Sequence, residues 1–547
     1  MKNLILVCLV VFLGSMAYAQ NDPQWLWATT VGGTGWDQPY SQATDSNGNN
    51  YVVFLFQDTV TIGTYTFVSS GSFDFLIAKL DPNGNCLWAT RTGGTGDDRC
   101  YDIAIDSSGN SYVTGIFTGD VDFHVITQTS VGDWDIFVAK IDPDGNWLWV
   151  RRAGGNGEDW GYSLATDSSG NSYLTGYFNL AANFGTIALT SSGNFDTFIA
   201  KVDTFGNWLW AIRAGGTNTD LGYGITLDGN QNIYVAGVYM GTGVFGASTL
   251  GNSGDYDVYL GKLDSAGNWL WAKRTGGVST DWCWTIDTDG DGNLYATGNF
   301  YGSSDFGTTT LTSSGSSDIY VCKLDTNGNW LWARSAGGTG EEWGYGLTTD
   351  NSGNIYITGG FSESATFGMT QLTSNGSKDI YVANLDSGGN WHWAISAGAV
   401  DTDSGMSVSF DSNENLYIQG AYSTNMNLGP LALTNHGGFD AFIAKLAPGV
   451  GIDDELAPDL TDVSCLSDAW PNPFRVGTTA TIKANVAQRE SGTLTIYNLR
   501  GQIVQSQQLS SGSHEIAING KDLPAGIYLY QLKTPSVVTS KKLVLLK

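Results

Sequence analysis

The sequence predicts an all-β chain: a seven-bladed β-propeller of 61-residue blades, closed by its N-terminal strand, followed by a small Ig-like β-sandwich. Three observations predict it. A Trp-Leu-Trp signature returns every 61 residues, its second Trp falling at Trp27, Trp88, Trp149, Trp210, Trp271, Trp332 and Trp393. Such strict self-similarity marks a repeat architecture. Each repeat holds four short alternating apolar runs and no helical period. After residue 447 the repeat stops, and residues 469–547 carry nine Lys and Arg against three Asp and Glu in a chain whose formal charge is −28.

Residues 1–19 read as a secretory signal, with Lys2 as the positive end, an apolar core from Leu4 to Leu13, and Ala17-Tyr18-Ala19 as the small-residue cleavage site. No other apolar run reaches the roughly 18 residues needed to span a bilayer. Outside the signal stand Cys86, Cys100, Cys283, Cys322 and Cys465. The number is odd and no CxxC spacing occurs. The first four each replace a repeat residue, so they read as packing fillers rather than a disulfide frame or a zinc site.

Residues 147–207 serve as one unit. Trp147–Ala153, Tyr162–Thr166, Ser172–Phe178 and Asp196–Val202 read as strands. Asp167-Ser168-Ser169-Gly170-Asn171 and Asp203 to Asn207 read as Asp-initiated turns. The segment holding Phe184-Gly185 reads as a longer connection. Four antiparallel strands without a helix make a propeller blade. We call the strands A to D from the axis outward. The A strands then begin near Tyr40, Tyr101, Tyr162, Tyr223, Trp284, Tyr345 and Met406. The chain opens with a lone D strand, Gln24–Thr30, and the last unit ends at a C strand, Asp440–Leu446. The first strand is therefore expected to complete the last blade.

Much of the acidity is architectural. One column, Asp37, Asp98, Asp159, Asp220, Asp281, Glu342 and Asp403, precedes strand A. Another, from Asp74 to Asp440 at the same step, opens strand C, and two more start the A–B and C–D turns. Together the four columns hold 27 of the 53 acidic residues, where short carboxylates bond local backbone N–H groups. A surface this acidic excludes nonspecific nucleic-acid binding. The only cofactor the sequence suggests is Ca2+, at Asp287, Asp289 and Asp291, whose spacing matches the start of a calcium loop. The acidic residue that closes such a loop is missing, since Gly298 stands in its place.

The D–A and B–C connections share one face and are the longer ones, so a ligand is expected there. Directly after the first acidic column the residue varies: Gln38, Arg99, Trp160, Leu221, Trp282, Trp343 and Ser404. Arg99, Trp160, Trp282 and Trp343 are candidate contacts to a sugar ring or a peptide, with covering of the neighbouring blades as the other reading. Asp102 and Asp287 interrupt strand-A positions held mostly by small or hydroxyl residues and are expected to face the central channel. For catalysis, His124, His392, His436 and His514 share no repeat slot and lie in no nucleophile motif. A carboxylate pair is what a polysaccharide hydrolase would use instead.

An acidic linker, residues 448–468, precedes the second domain, residues 469–547, whose alternating runs at Thr479–Val486, Thr493–Asn498, Ile503–Gln508, His514–Ile518, Ile527–Leu532 and Lys541–Leu546 read as a small antiparallel sandwich. Trp470-Pro471-Asn472-Pro473-Phe474, the stretch from Leu494 through Gly501, Pro524-Ala525-Gly526-Ile527-Tyr528 and Lys541-Lys542 resemble the C-terminal sorting domain of type IX secretion substrates. That resemblance implies a Bacteroidota-like Gram-negative source, export across both membranes, type IX machinery as a partner, and release or anchoring at the outer surface. The repeats resemble the bacterial SBBP β-propeller family through Asp106-Ser107-Ser108-Gly109-Asn110-Ser111-Tyr112-Val113-Thr114-Gly115 and Asp135-Ile136-Phe137-Val138-Ala139-Lys140-Ile141-Asp142. This implies a fold and no fixed chemistry. The leading expectation is a secreted or surface-displayed, non-catalytic propeller that binds an extracellular glycan or protein. The alternatives are a polysaccharide-acting hydrolase or lyase and a structural surface-layer component.

Overall fold

The computed structural model describes residues 23–447 except 351 and 412, residues 465–466, and residues 474–547 except 487–489, 522 and 536–537. The signal segment, Pro471, Asn472, Pro473 and nearly all of the linker lie outside the described residues. The described residues are strands, turns and loops, and they fall into two compact units.

In the first unit, one four-stranded antiparallel meander recurs at the sequence step. The third repeat shows the pattern: A Asp159–Thr166, B Ser172–Phe178, C Asp196–Val202 and D Trp208–Ala214, paired in that order. The B strands are buried along nearly their whole length, because they have neighbours on both faces. The last meander takes its D strand from the other end of the chain. Gln24–Gly33 pairs antiparallel with Asp440–Ala447, with Ala28 opposite Ala444 and Val31 opposite Ala441. Neighbouring A strands contact each other in sequence, and the last, Asp403–Phe410, returns to the first, Asp37–Thr44. Side chains bond across this return: the Gln42 amide donates to the Ser407 and Tyr417 carbonyls at 3.1 and 2.7 Å, and Tyr417 donates its hydroxyl to the Gly48 carbonyl at 2.9 Å.

The Trp pair works at two interfaces. The second Trp reaches the next unit: Trp88 donates its indole N–H to the Pro143 carbonyl at 2.9 Å, and Trp149 donates to the Thr204 carbonyl at 3.0 Å. The turn glycine of that next unit lies on the ring. Gly145 takes a φ of 89° against Trp88, a conformation and a closeness that a side chain would disturb. The first Trp packs on its own unit's B–C connection, as Trp208 does edge-on against Phe184 at 5.2 Å. The Leu between the two Trp is the extra residue of a β-bulge and points outward, Leu148 being 49% exposed.

The B–C connection differs from the expected loop. It is a hairpin of two short strands, Ala181–Phe184 with Ile187–Thr190 in the third repeat, and it pairs with the D strand of the unit before, Gly154 opposite Asn183. Radiating sheets diverge towards the rim, and this hairpin fills the wedge with Ala182 and Phe184, both fully buried.

The second compact unit has two sheets. Thr479–Val486 pairs with Gly512–Asn519, and Gly492–Asn498, Ile503–Leu509, Gly526–Lys533 and Val538–Leu546 form the other sheet with a short parallel edge at Phe474–Arg475. One core joins them, including Ile482, Ile496, Ile518, Tyr530 and Leu543.

Candidate functional site: the channel and its aromatic mouth

Each A strand carries a β-bulge at the same place. The register slips between Cys100 and Asp102, between Gly161 and Ser163, and likewise in the other five, so Tyr40, Tyr101, Tyr162, Tyr223, Trp284, Tyr345 and Met406 are the extra residues. A bulge re-aims a side chain, and all seven line one cavity of about 330 Å³ on the axis. The six rings touch in succession, from Tyr40 on Tyr101 at 5.0 Å to Trp284 on Tyr345 at 5.8 Å. This ring column escaped the sequence reading, although aromatic residues at six of seven equivalent positions were its signal.

The predicted Trp residues extend the same cluster. Trp160 stacks on Tyr101 and Tyr177 with centroids 5.7 and 5.5 Å apart, and Trp282 stacks on Trp284 and Tyr256 at 5.2 and 5.4 Å. Trp343 meets Tyr345 edge-on at 5.6 Å and carries the Lys378 ammonium over its ring at 4.4 Å. All three are half-buried. Protein rings, and at Trp343 a cation, lie on part of their surfaces. Arg99 sits at the same level, its guanidinium over Phe73 at 5.4 Å and paired with Asp97 at 2.6 Å. The residues just before strand C, among them Phe73, Trp134, Phe195 and Tyr256, form a second aromatic column that the sequence reading passed over.

Asp102 and Asp287 do line the channel. Asp102 accepts from the Ser41 and Ser163 hydroxyls at 2.6 and 2.8 Å and from the Leu164 and Ile103 amides at 2.8 and 2.9 Å, so it ties three A strands together. Asp287 accepts from the amides of Thr288 and Thr349 at 2.8 and 2.9 Å. Burial pushes both carboxyls up from the ordinary range, and these donors offset part of the rise. Their chemistry is that of cross-braces.

Asp287, Asp289 and Asp291 do not converge on a cation. Asp289 is occupied by the amides of Asp291 and Asn293 at 3.1 and 2.9 Å, the Tyr295 hydroxyl at 2.9 Å and the Lys323 ammonium at 3.4 Å. Among the described residues no three His, Cys, Asp or Glu gather as a metal site. Cys86, Cys100, Cys283 and Cys322 are free thiols. His392 lies 3.3 Å from Asp386, half-exposed at an edge.

The two strand-opening acidic columns form buried pairs, which their sequence separation hid. Burial, reinforced by the facing carboxylate, holds Asp98, Asp159 and Asp220 up to about 7 and Glu342 up to about 8. Each also accepts a backbone N–H from the residue four before it, as from Gly155 to Asp159 at 2.7 Å, and Asp98 accepts a second from Thr118 at 3.2 Å. Arg91, Arg152, Arg213 and Arg274 pair with the strand-C member in four units. Sorting-domain residues Gly501, Gly526, Tyr528, Lys541 and Lys542 lie in the second compact unit, where Gly501 turns with a φ of 76° and Tyr528 donates to the Pro524 carbonyl at 2.5 Å.

Comparison with known proteins agrees with this geometry. The β-propeller repeat family SBBP matches residues 87–115, 148–177 and 209–238, and the secretion system C-terminal sorting domain family matches residues 468–546. An uncharacterized WD repeat-containing protein of Acanthamoeba polyphaga mimivirus is 24% identical over 531 residues, covering 77% of this chain and 38% of that protein. Regulatory protein FlaEY of Caulobacter vibrioides is 28% identical over 137 residues, covering 24% and 14%. The chain thus spans well under half the length of these curated relatives. A fungal alcohol oxidase of the AA5 family, solved with copper, aligns at a TM-score of 0.39 and 12% identity, covering 96% of this chain and all of that one. Among the described residues no helix is long and apolar enough to cross a membrane. The chain accordingly carries β-propeller repeats matching the SBBP family and a secretion system C-terminal sorting domain, which marks it for type IX secretion to the cell surface or the extracellular space.

Proposed function

We propose that the chain is a seven-bladed propeller followed by an Ig-like sandwich, and that its propeller binds an extracellular glycan or protein without catalysis. Residues 20–447 form the propeller, 448–468 the linker and 469–547 the exported sorting domain. The observation that carries the reading is the contiguous aromatic cluster at the channel mouth. Half-buried Trp edges, tyrosines and two cations, Arg99 and Lys378, share one surface there, and such surfaces favour hydroxyl-rich or peptide ligands. Asp102 and Asp287, already committed to neighbouring strands, support binding over polysaccharide cleavage.

The test is to screen the propeller against immobilised glycans and secreted proteins, alongside Trp160→Ala/Trp282→Ala/Trp343→Ala and Arg99→Ala. The expected result is a bound ligand whose affinity falls at least about tenfold in both variants. Sugar release that Asp102→Asn abolishes would overturn the non-catalytic reading.

A further inference from the structure

One unit breaks the repeat's own rules, and a cleft opens where it does. In six units the residue after the D-strand glycine is a second glycine: Gly33, Gly94, Gly155, Gly216, Gly277 and Gly338. A Cβ on any of them would lie only 1.5–2.0 Å from a backbone carbonyl of the next unit's hairpin, at Thr59, Asp120, Ala181, Thr242, Ser303 or Ser364. That closeness is what lets the hairpin dock on the preceding D strand. The seventh position is Ala399. Its methyl occupies the space the hairpin needs. The hairpin Met426–Leu428 with Leu431–Leu433 stands as its own two-stranded sheet, as does Thr242–Phe245 with Ser248–Gly251 in the fourth unit, but there Gly215 and Val244 still exchange backbone hydrogen bonds at 3.0 and 3.3 Å, and among the described residues no such bond joins Gly398 to the seventh hairpin.

A second departure lies across the gap. In six units the residue leading into the hairpin is left-handed, with φ between 55° and 71° at Asp58, Gly119, Leu180, Gly241, Gly302 and Glu363. The equivalent residue here is Thr424, a β-branched residue that resists this conformation, and it stays out of the region. In five units the left-handed residue's carbonyl receives a backbone N–H, as from Ser191 to Leu180 at 2.8 Å. Here the Asn435 amide turns to the Asn425 side chain instead, at 2.8 Å.

Between these departures lies a cleft of about 590 Å³, within the ordinary size of a ligand site. Its lining holds no charged residue. It offers the carboxamides of Asn425 and Asn427, those of Asn375 and Asn435 being held by Asp379 and by the Tyr422 and Gly438 carbonyls, and beside them Thr424, whose hydroxyl oxygen is buried without a hydrogen-bond partner. A carboxamide both donates and accepts, as a sugar hydroxyl does. A buried hydroxyl left unpaired is destabilising, and a ligand hydroxyl would satisfy it.

We propose that this cleft between the sixth and seventh units is a binding site for a neutral saccharide. The inference rests on the proposed binding role and gives it a place and a ligand class. It names a site apart from the channel mouth.

The test uses the whole chain on an array of neutral gluco-, manno-, xylo- and galacto-oligosaccharides, with sialylated and uronate glycans as charged controls. Two variants are compared. Ala399→Gly/Thr424→Gly restores the pattern of the other units and closes the cleft. Asn425→Ala/Asn427→Ala keeps the cleft and removes its amides. The expected result is binding of a neutral glycan that drops at least tenfold in both variants. The glycine variant should melt no lower than the parent and show slower hydrogen exchange at residues 398–400. Absence of neutral-glycan binding, preference for the charged controls, or equal binding by both variants would overturn the proposal. Binding that survives in both but is lost in Arg99→Ala would place the ligand at the channel mouth, leaving the general binding role standing.

Discussion

Asp135 and Asp159 press on the same residue, Gly154: a Cβ there would lie 2.3 Å from an oxygen of the first and 2.9 Å from an oxygen of the second. The repeat's invariant first glycine is therefore set by a buried carboxylate pair. The Oδ1 atoms of Asp135 and Asp159 are buried without a hydrogen-bond donor, which disfavours the charged carboxylate at each.

Stability should therefore depend on pH in a defined direction. The folded chain holds Asp281 and Asp403 up to about 6, Asp98, Asp159 and Asp220 to about 7, and Asp37 and Glu342 to about 8, burial being the main cause. Unfolded, these acids ionise near 4. Between those limits the native state binds more protons, so its stability falls as pH rises. The turn carboxylates Asp142, Asp203 and Asp325 run the other way. Side-chain and backbone N–H bonds hold them below the ordinary value despite some burial, and their contribution is lost as pH falls through that lower range. Melting temperature measured from pH 3 to pH 9 should peak at mildly acidic pH, near about 4–5, and decline towards pH 8. Asp159→Asn should shallow that decline. A melting temperature that climbs from pH 5 to pH 8 would contradict the pairing.

Gly154→Ala should destabilise the first compact unit by about 3 kcal/mol, through overpacking on both carboxylates and through the φ of 138° at that residue. Thermal melting checks it. An equally stable alanine variant would show that the carboxylates can move apart.

Trp88 separates packing from hydrogen bonding. Trp88→Phe keeps a ring on Gly145 but loses the donor to the Pro143 carbonyl and should cost about 1–2 kcal/mol. Trp88→Ala also opens a cavity between units and should cost about 3–5 kcal/mol. Urea titration of both variants measures the difference.

The sequence displays these features unevenly. The 61-residue step makes the four main strands and the return of the first strand to the last legible, because each rests on one periodic column. The rim hairpin was read as a loop, since four-residue strands such as Ala181–Phe184 carry too few residues for a period. The carboxylate pairs were hidden because strand C and the next strand A meet only in space. The strand-A rings were visible as a column, but a bulge, invisible in sequence, aims them at the axis. The cleft had a plain signal in Ala399 standing where six glycines stand, and its meaning comes only from the hairpin carbonyls those glycines touch.

Asp102 braces three strands of the channel wall. Asp102→Ala strips acceptors from Ser41, Ser163, Leu164 and Ile103 and should cost about 2–4 kcal/mol. Denaturant melts of the alanine and asparagine variants rank the effect, with alanine the worse.

The account turns on the first strand joining the last three, seen as Ala28 opposite Ala444. Deletion of residues 24–33 followed by thermal melting and solution scattering tests this directly. The account predicts a melting temperature lowered by at least about 10 °C and an enlarged radius. An unchanged melting temperature with an unchanged scattering profile would contradict it.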